Sequence, residues 1–160
     1  MIINNKAKTL LKLKLRKATI PKLKIYKTKN YKKDKNKIIN DIKLNFKSRI
    51  AIRSSSKEED QSNKSNAGKF QSYLNINSNN QIEVSNKIEK VIKSYKKNIN
   101  SSEFFIQEMV ENIAASGVVL TRNLEDFTPC FNINYFLGSD STNVTSGKKG
   151  SKNIIFIENK

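Results

Sequence analysis

The chain has 160 residues, a formal net charge of +17 and a pI near 9.9, with no histidine and a single cysteine, Cys130. This composition excludes a disulfide framework within the chain, an ordinary Cys/His metal site and acid–base catalysis by histidine. No run of 18 apolar residues is present, so no membrane span is predicted. We therefore expect no enzyme activity, no metal and no cofactor, and we expect a polyanionic partner.

Positive charge is concentrated at the N-terminus. Residues 1–53 hold 18 Lys and Arg against two acidic residues, whereas residues 57–160 hold 13 against 12. Codon bias in an AT-rich genome would also enrich lysine, but it would not separate the acidic residues from the first part of the chain. The distribution predicts that residues 1–53 form a basic, extended RNA-binding arm.

Within the predicted arm, Leu11–Arg16 and Ile42–Phe46 alternate apolar with polar or charged residues, which is typical of an extended chain. Tyr26 and Tyr31 stand among lysines, a combination that suits base stacking beside phosphate contacts. The predicted RNA-binding residues of the arm are Lys12, Lys14, Arg16, Lys17, Lys22, Lys24, Tyr26, Lys27, Lys29, Tyr31, Lys32, Lys33, Arg49 and Arg53.

Residues 54–81 are rich in Ser, Asn and Gln and predict a polar linker. Apolar residues then recur at intervals of three and four, which predicts helices over 84–99 and 102–116. Gly117 is placed to end the second helix. Together with the strands that follow, residues 82–160 predict a small α+β domain.

Three strands are expected in that domain. Val118–Thr121 is a short apolar run, Phe131–Tyr135 alternates strictly, and Ile154–Ile157 is β-branched and aromatic. The predicted fold class is α+β, with two helices packed on a small, mainly antiparallel sheet and preceded by the extended basic arm. The residues expected to face the helices are Ile133, Tyr135, Ile155 and Ile157.

The loop Gly138–Ser151 is rich in glycine, hydroxyl groups and lysine. Glycine allows close approach of the backbone, and hydroxyl and ammonium groups bind phosphate and sugar. Lys148, Lys149 and Lys152 are therefore predicted to contact RNA.

Residues Thr145–Phe156 resemble the C-terminal end of the small-subunit ribosomal protein three family (the S-three family), and Asn132–Tyr135 resembles an upstream strand of that family with both acids amidated. The resemblance implies ribosomal RNA and neighbouring ribosomal proteins as partners. Residues 1–81 do not match the family's N-terminal RNA-binding half, which a separate chain could carry in a split protein.

These observations predict a structural constituent of the small ribosomal subunit. A lysine-rich N-terminus that is not cleaved, on a sequence of AT-biased composition, predicts a mitochondrial, organelle-encoded protein. The alternative is a peripheral basic subunit of a membrane-associated complex, with the arm lying on anionic headgroups.

Overall fold

The structure is a computed structural model that describes residues 6–55, 71–95, 99–139, 144 and 152–156. The chain divides into a first unit, Met1–Met109, and a second unit, Val110–Lys160. Each unit contains one antiparallel sheet, and the described helices belong to the first unit. The predicted α+β class is therefore confirmed.

The elements of the first unit are α1 (Lys6–Lys12), β1 (Leu23–Lys27), α2 (Thr28–Lys33), α3 (Lys35–Asn45), β2 (Arg49–Ser55), β3 (Ser72–Asn77), α4 (Gln81–Lys93), a 3-10 turn (Ile99–Ser101) and β4 (Glu103–Glu108). Those of the second unit are β5 (Ala115–Arg122), β6 (Pro129–Leu137) and β7 (Lys152–Phe156).

The first sheet has the strand order β1-β4-β2-β3, and all its neighbouring strands are antiparallel. It follows that β1 and β2 run in the same direction, as do β3 and β4. Strands that run in the same direction need crossover connections, which α2 with α3 and then α4 provide. Both crossovers contribute to one core, so α3 and α4 lie together against one face of the sheet.

Sequence spacing explains how the two crossover helices form. Ile39 and Ile42 of α3 and Phe46, which follows the helix as its C-cap, recur at three and four residues, and they are buried together with Ile88 of α4. Each helix also begins at a side-chain cap: Asp34 accepts a hydrogen bond from the backbone N–H of Lys37, and Asn80 does the same for Glu83. Burial of each such apolar side chain contributes about 1.5–3 kcal/mol.

The prediction of an extended arm over residues 1–53 is wrong for residues 6–12, which form α1, and for residues 23–53, which form β1, α2, α3 and most of β2. Ile42–Phe46 alternates in sequence, but the wider spacing from Ile39 through Ile42 to Phe46 follows the helical period. This helix covers the sheet, so the basic residues lie on the outer surface of a packed unit.

The predicted linker and domain boundaries also differ from the structure. Residues 72–77, inside the predicted linker, form β3 and pair with β2, whereas residues 56–70 lie outside the described part. The predicted domain 82–160 is divided at Met109, because α4 and β4 pack with β2 in the first unit.

Of the two predicted helices, the first, over 84–99, is confirmed in part as α4, which begins at Gln81 and ends at Lys93, and the second is wrong. Residues 103–108 form β4, which lies between β1 and β2 in the sheet. Phe104, Phe105 and Ile106 are all fully buried, as expected for a central strand covered on both faces. Gly117 ends no helix; it lies within β5, opposite Tyr135 of β6.

In the second unit the strand order is β5-β6-β7, and the three predicted strands are confirmed. The register places Ile155 opposite Asn132, on the other face from Ile133 and Tyr135. Ile155 is 54% exposed, so its predicted place in a core is wrong. Ile157 and most of the Gly138–Ser151 loop, including Lys148 and Lys149, lie outside the described residues.

Candidate functional site

A cleft of about 420 Å³ lies between α3 and α4, and we call it the α3–α4 cleft. The two helices run antiparallel here, since the start of α3 contacts the later part of α4 and the start of α4 contacts the middle of α3. The lining residues are Lys35, Asn36, Ile39, Asn40, Gln81, Ile82, Ser85 and Asn86.

The inner part of the cleft is formed by buried residues next to the hydrophobic core. Ile39 and Ser85 are both buried, and the hydroxyl of Ser85 lies 3.2 Å from the phenol oxygen of Tyr31. The Tyr31 ring packs edge-on against Phe104, with 5.8 Å between the ring centroids. Burial raises the pKa of Tyr31, so the phenol stays protonated at neutral pH. The deepest surface of the cleft is therefore buried, neutral and partly polar.

The walls are dominated by side-chain amides. Gln81 donates a hydrogen bond to Asn40 across the cleft, with 2.9 Å between Nε2 and Oδ1. Asn36 and Asn86 are exposed and make no side-chain hydrogen bond to another residue in the described part of the chain. Because each amide carries donors and an acceptor, these walls can hydrogen-bond a polar, planar ligand.

Ile82 gives the cleft an apolar rim. It is 77% exposed, the largest exposure among the large apolar side chains described. A ligand with a flat apolar face would cover Ile82 and remove that surface from water.

Lys35 is the charged residue in the lining of the cleft. Its ammonium lies 2.7 Å from a carboxylate oxygen of Glu89, one turn beyond Ser85 on α4. This hydrogen bond raises the pKa of Lys35 and lowers that of Glu89. Both side chains are close to half exposed, so the pair is accessible to a competing anion.

The two tyrosines predicted to stack on RNA are buried, which corrects their assignment as exposed contacts. Tyr26 stacks on Phe104 at 5.5 Å between centroids and donates its hydroxyl to Asp41. Burial and the bond to Asp41 raise the pKa of Tyr26 above its ordinary value. Neither ring is available to a nucleic-acid base.

Several of the predicted basic contacts are engaged within the first unit. Lys24 pairs with Asp41 at 2.7 Å, Lys22 lies over the Phe46 ring, and Arg53 lies over the Phe105 ring. Lys32 donates to the Asn100 side chain and Arg49 to the carbonyl of Asn75.

The other described members of that set are exposed and distributed over α1, the segment after it, β1, α2 and β7: Lys12, Lys14, Arg16, Lys17, Lys27, Lys29, Lys33 and Lys152. No member of the predicted set lines the α3–α4 cleft, although Tyr31 supports it from below. Contact of these residues with RNA stays a prediction.

Sequence reasoning missed the lining residues because asparagine and glutamine are abundant throughout this chain. The available signal was local: Asn36 and Asn40 are four residues apart on one face of α3, as are Ile82 and Asn86 on α4. That the two faces meet depends on the sheet that aligns the helices.

Within the described ranges, no group of three or more His, Cys, Asp or Glu side chains is placed to hold a metal ion. Likewise, no described helix has the length and apolar character needed to cross a bilayer.

Comparison with known families gives one match over almost the whole chain. Residues 6–158 match the family model described as pyruvate phosphate dikinase, AMP/ATP-binding domain. No curated protein matches the chain significantly. The family description names an enzyme, so the expectation that the chain is not an enzyme has no support.

The match overturns the resemblance to the ribosomal family and the functions predicted from it. That resemblance depended on about a dozen residues of a Gly/Lys-rich pattern, and such patterns recur without common ancestry. A structural role in the small ribosomal subunit and binding of ribosomal RNA are therefore corrected, and the membrane-complex alternative gains no support. The chain belongs to the pyruvate phosphate dikinase AMP/ATP-binding domain family.

Proposed function

We propose that this chain binds an adenine nucleotide in the α3–α4 cleft. The observation that carries the proposal is the combination of groups in one concave site: side-chain amides, two isoleucines and an accessible cation. The family description, an AMP/ATP-binding domain, supports the choice of ligand class. The cleft volume of about 420 Å³ lies within the usual range of small-molecule sites, about 300–1,000 Å³.

The base would lie against the isoleucines. Ile39 is buried in the inner part and Ile82 is exposed at the rim, so a purine ring placed between them covers apolar surface on both faces. The edge of adenine presents an amino donor beside a ring-nitrogen acceptor. Asparagine or glutamine can bind this pair with its amide oxygen and nitrogen together. Asn36 and Asn86 line the cleft and would supply such amides.

The phosphate end would lie at Lys35. A lysine ammonium binds phosphate as a compact point charge, and Lys35 is the cation among the described lining residues. The lining supplies amides, a hydroxyl and an ammonium, which are binding groups, so the proposal concerns binding and not a chemical step.

Titration calorimetry of the full chain with AMP and ATP tests this proposal. Ile82→Gln should weaken nucleotide binding about three- to tenfold, because the purine loses its apolar contact. Leu44→Gln is the matched control, since Leu44 is also an exposed apolar residue of a helix but does not line the cleft. Absence of saturable binding, or equal effects of both variants, would contradict the proposal.

The mitochondrial location, predicted from the lysine-rich N-terminus and the AT-biased composition, stays a prediction. Fractionation of cells that express the tagged chain would test it.

A further inference from the structure

The turn between β5 and β6 presents two large apolar side chains to water. We call residues 122–128 the hairpin tip. Leu124 is 71% exposed and Phe127 is 66% exposed, which is the largest exposure among the described phenylalanines. Both lie in the turn itself, where the partner strand does not cover them.

Hydrogen bonds hold the hairpin tip in a defined conformation. The backbone N–H of Asn123 donates to the Thr128 carbonyl at 2.9 Å, and that of Phe127 donates to the Asn123 carbonyl at 3.1 Å. The Asn123 side chain accepts from the N–H of Glu125 at 3.0 Å, and the Asp126 carboxylate accepts from the N–H of Thr128 at 2.9 Å. A preorganised loop loses little conformational entropy on binding, so its contacts contribute more to affinity.

Phe127 has a left-handed backbone conformation, with φ of 60°. This conformation is unfavourable for a bulky side chain, whereas asparagine adopts it readily. The other non-glycine residues with positive φ in the described ranges are both asparagine, Asn75 and Asn112. Phenylalanine is therefore a poor residue for folding at this position, and its exposure gives it little packing in return. Backbone strain of this kind is characteristic of residues that contact a ligand or partner.

The hairpin tip is also acidic, although the chain has a net charge of +17. Glu125 and Asp126 are exposed, and neither forms an ion pair within the described residues. Arg122 donates to the Phe127 carbonyl and so belongs to the turn. A surface complementary to the tip would combine apolar groups with cations.

Residues 11–17, which we call the basic-apolar segment, provide such a surface. The three leucines are between 45% and 58% exposed, and the four cations are exposed as well. None of these cations forms an ion pair with another described residue. In chain order the members are Leu11, Lys12, Leu13, Lys14, Leu15, Arg16 and Lys17.

We propose that the chain self-associates head to tail, with the hairpin tip of one copy bound to the basic-apolar segment of a second copy. Leu124 and Phe127 cover the leucines, and Glu125 and Asp126 pair with the cations. Because the two surfaces differ and each copy carries both, the contact repeats from copy to copy and produces species larger than a dimer. Both surfaces are small, so the association is weak and depends on ionic strength.

Sedimentation equilibrium of the full chain between about 10 μM and 1 mM tests the proposal. The average mass should rise with concentration, and added salt should reduce the rise because the charge pairs are screened. Phe127→Asn should weaken the association about tenfold, because an apolar contact is lost. The same variant should unfold at an unchanged or higher denaturant concentration, since asparagine accepts the left-handed backbone. Leu44→Gln removes an exposed apolar side chain outside both surfaces and should leave the association unchanged.

Charge reversal identifies the two surfaces that meet. Glu125→Lys and Lys14→Glu should each weaken self-association about three- to tenfold, because attraction becomes repulsion. An equimolar mixture of the two variants should recover most of the association, since the unaltered tip of one meets the unaltered segment of the other. Glu111→Lys changes the net charge by the same amount at another exposed position and should have no effect.

Three results would overturn the proposal. The first is a mass that stays that of one chain up to the highest concentration. The second is association that neither Phe127→Asn nor Glu125→Lys weakens, which would assign the contact to another surface. The third is a mixture of Glu125→Lys and Lys14→Glu proteins that associates no better than either variant alone.

Discussion

The two sheets of this protein are stabilised differently. In the first unit, α3 and α4 cover one face of a four-stranded sheet, and Ile50, Ile52, Phe104 and Ile106 are completely buried. In the second unit, the three-stranded sheet exposes Val119, Phe131, Ile154 and Phe156 by between 38% and 55%. The register places these four on one face. An alternating strand pattern thus encodes a two-faced sheet but does not provide the layer that covers it.

The two units derive their stability from different interactions. Buried side chains hold the first unit together, because they lose all contact with water on folding. The described part of the second unit depends more on its strand ladder, in which nearly every residue of β6 has a partner on β5 or β7.

The largest expected effect comes from one chemical change made in each unit. Ile88→Ala removes a fully buried side chain of α4 and should reduce the free energy of unfolding by about 2–5 kcal/mol. Ile155→Ala, at a position that is 54% exposed, should cost less than about 1 kcal/mol. Denaturant unfolding, followed by a probe in each unit, measures both. A large loss at Ile155 would mean that another surface covers this sheet in solution.

The second effect concerns backbone approach in the second unit. A Cβ atom on Gly117 would lie 2.6 Å from the carbonyl oxygen of Asn134, a backbone atom of the neighbouring strand. Gly117→Ala should therefore push β5 from β6 and cost about 1–3 kcal/mol. Val119→Ala, at an exposed position on the same strand, is the control and should cost less. Hydrogen exchange of the β5–β6 amides reports the change, and equal protection in both variants would contradict it.

The smallest effect is a pH dependence confined to the first unit. Burial disfavours the ionised Asp41, but hydrogen bonds from Lys24 and Tyr26 outweigh it and lower the pKa of Asp41 below 3.8. The charged form is thus favoured on folding. Its contribution, about 1 kcal/mol or less for a partly exposed pair, is present above the unfolded pKa and is lost as the pH falls through the folded value.

Asp41→Asn should remove this dependence in acid. Unfolding of the two proteins between about pH 2 and pH 5 measures the difference. A constant difference in stability across that range would show that Asp41 acts there by packing alone.

The family assignment changes what the basic composition means. Eighteen Lys and Arg residues in the first 53 positions predicted an RNA-binding arm, yet residues 23–53 carry much of the core. Lys22, Lys24 and Arg53 interact with Phe46, Asp41 and Phe105 of the same unit. Long basic side chains can pack their stems on apolar residues and keep the charge in water, so a high charge is compatible with a folded segment.

Elements whose apolar pattern is local can be predicted from the amino-acid sequence. The 3.6-residue period and the Asn80 cap specify α4, and the alternation through Phe131–Tyr135 specifies β6. A short apolar run such as Phe104–Ile106 is compatible with a helix or a strand. It is a central strand here because β1 and β2 pair with it on either side, which is a property of the tertiary structure. The tertiary structure also decided the cleft, because Asn40 and Gln81 meet only when the sheet aligns α3 with α4. The periodicity of a segment shows which of its faces is apolar. Whether that face is buried, or lines a binding site, depends on which distant segment packs against it.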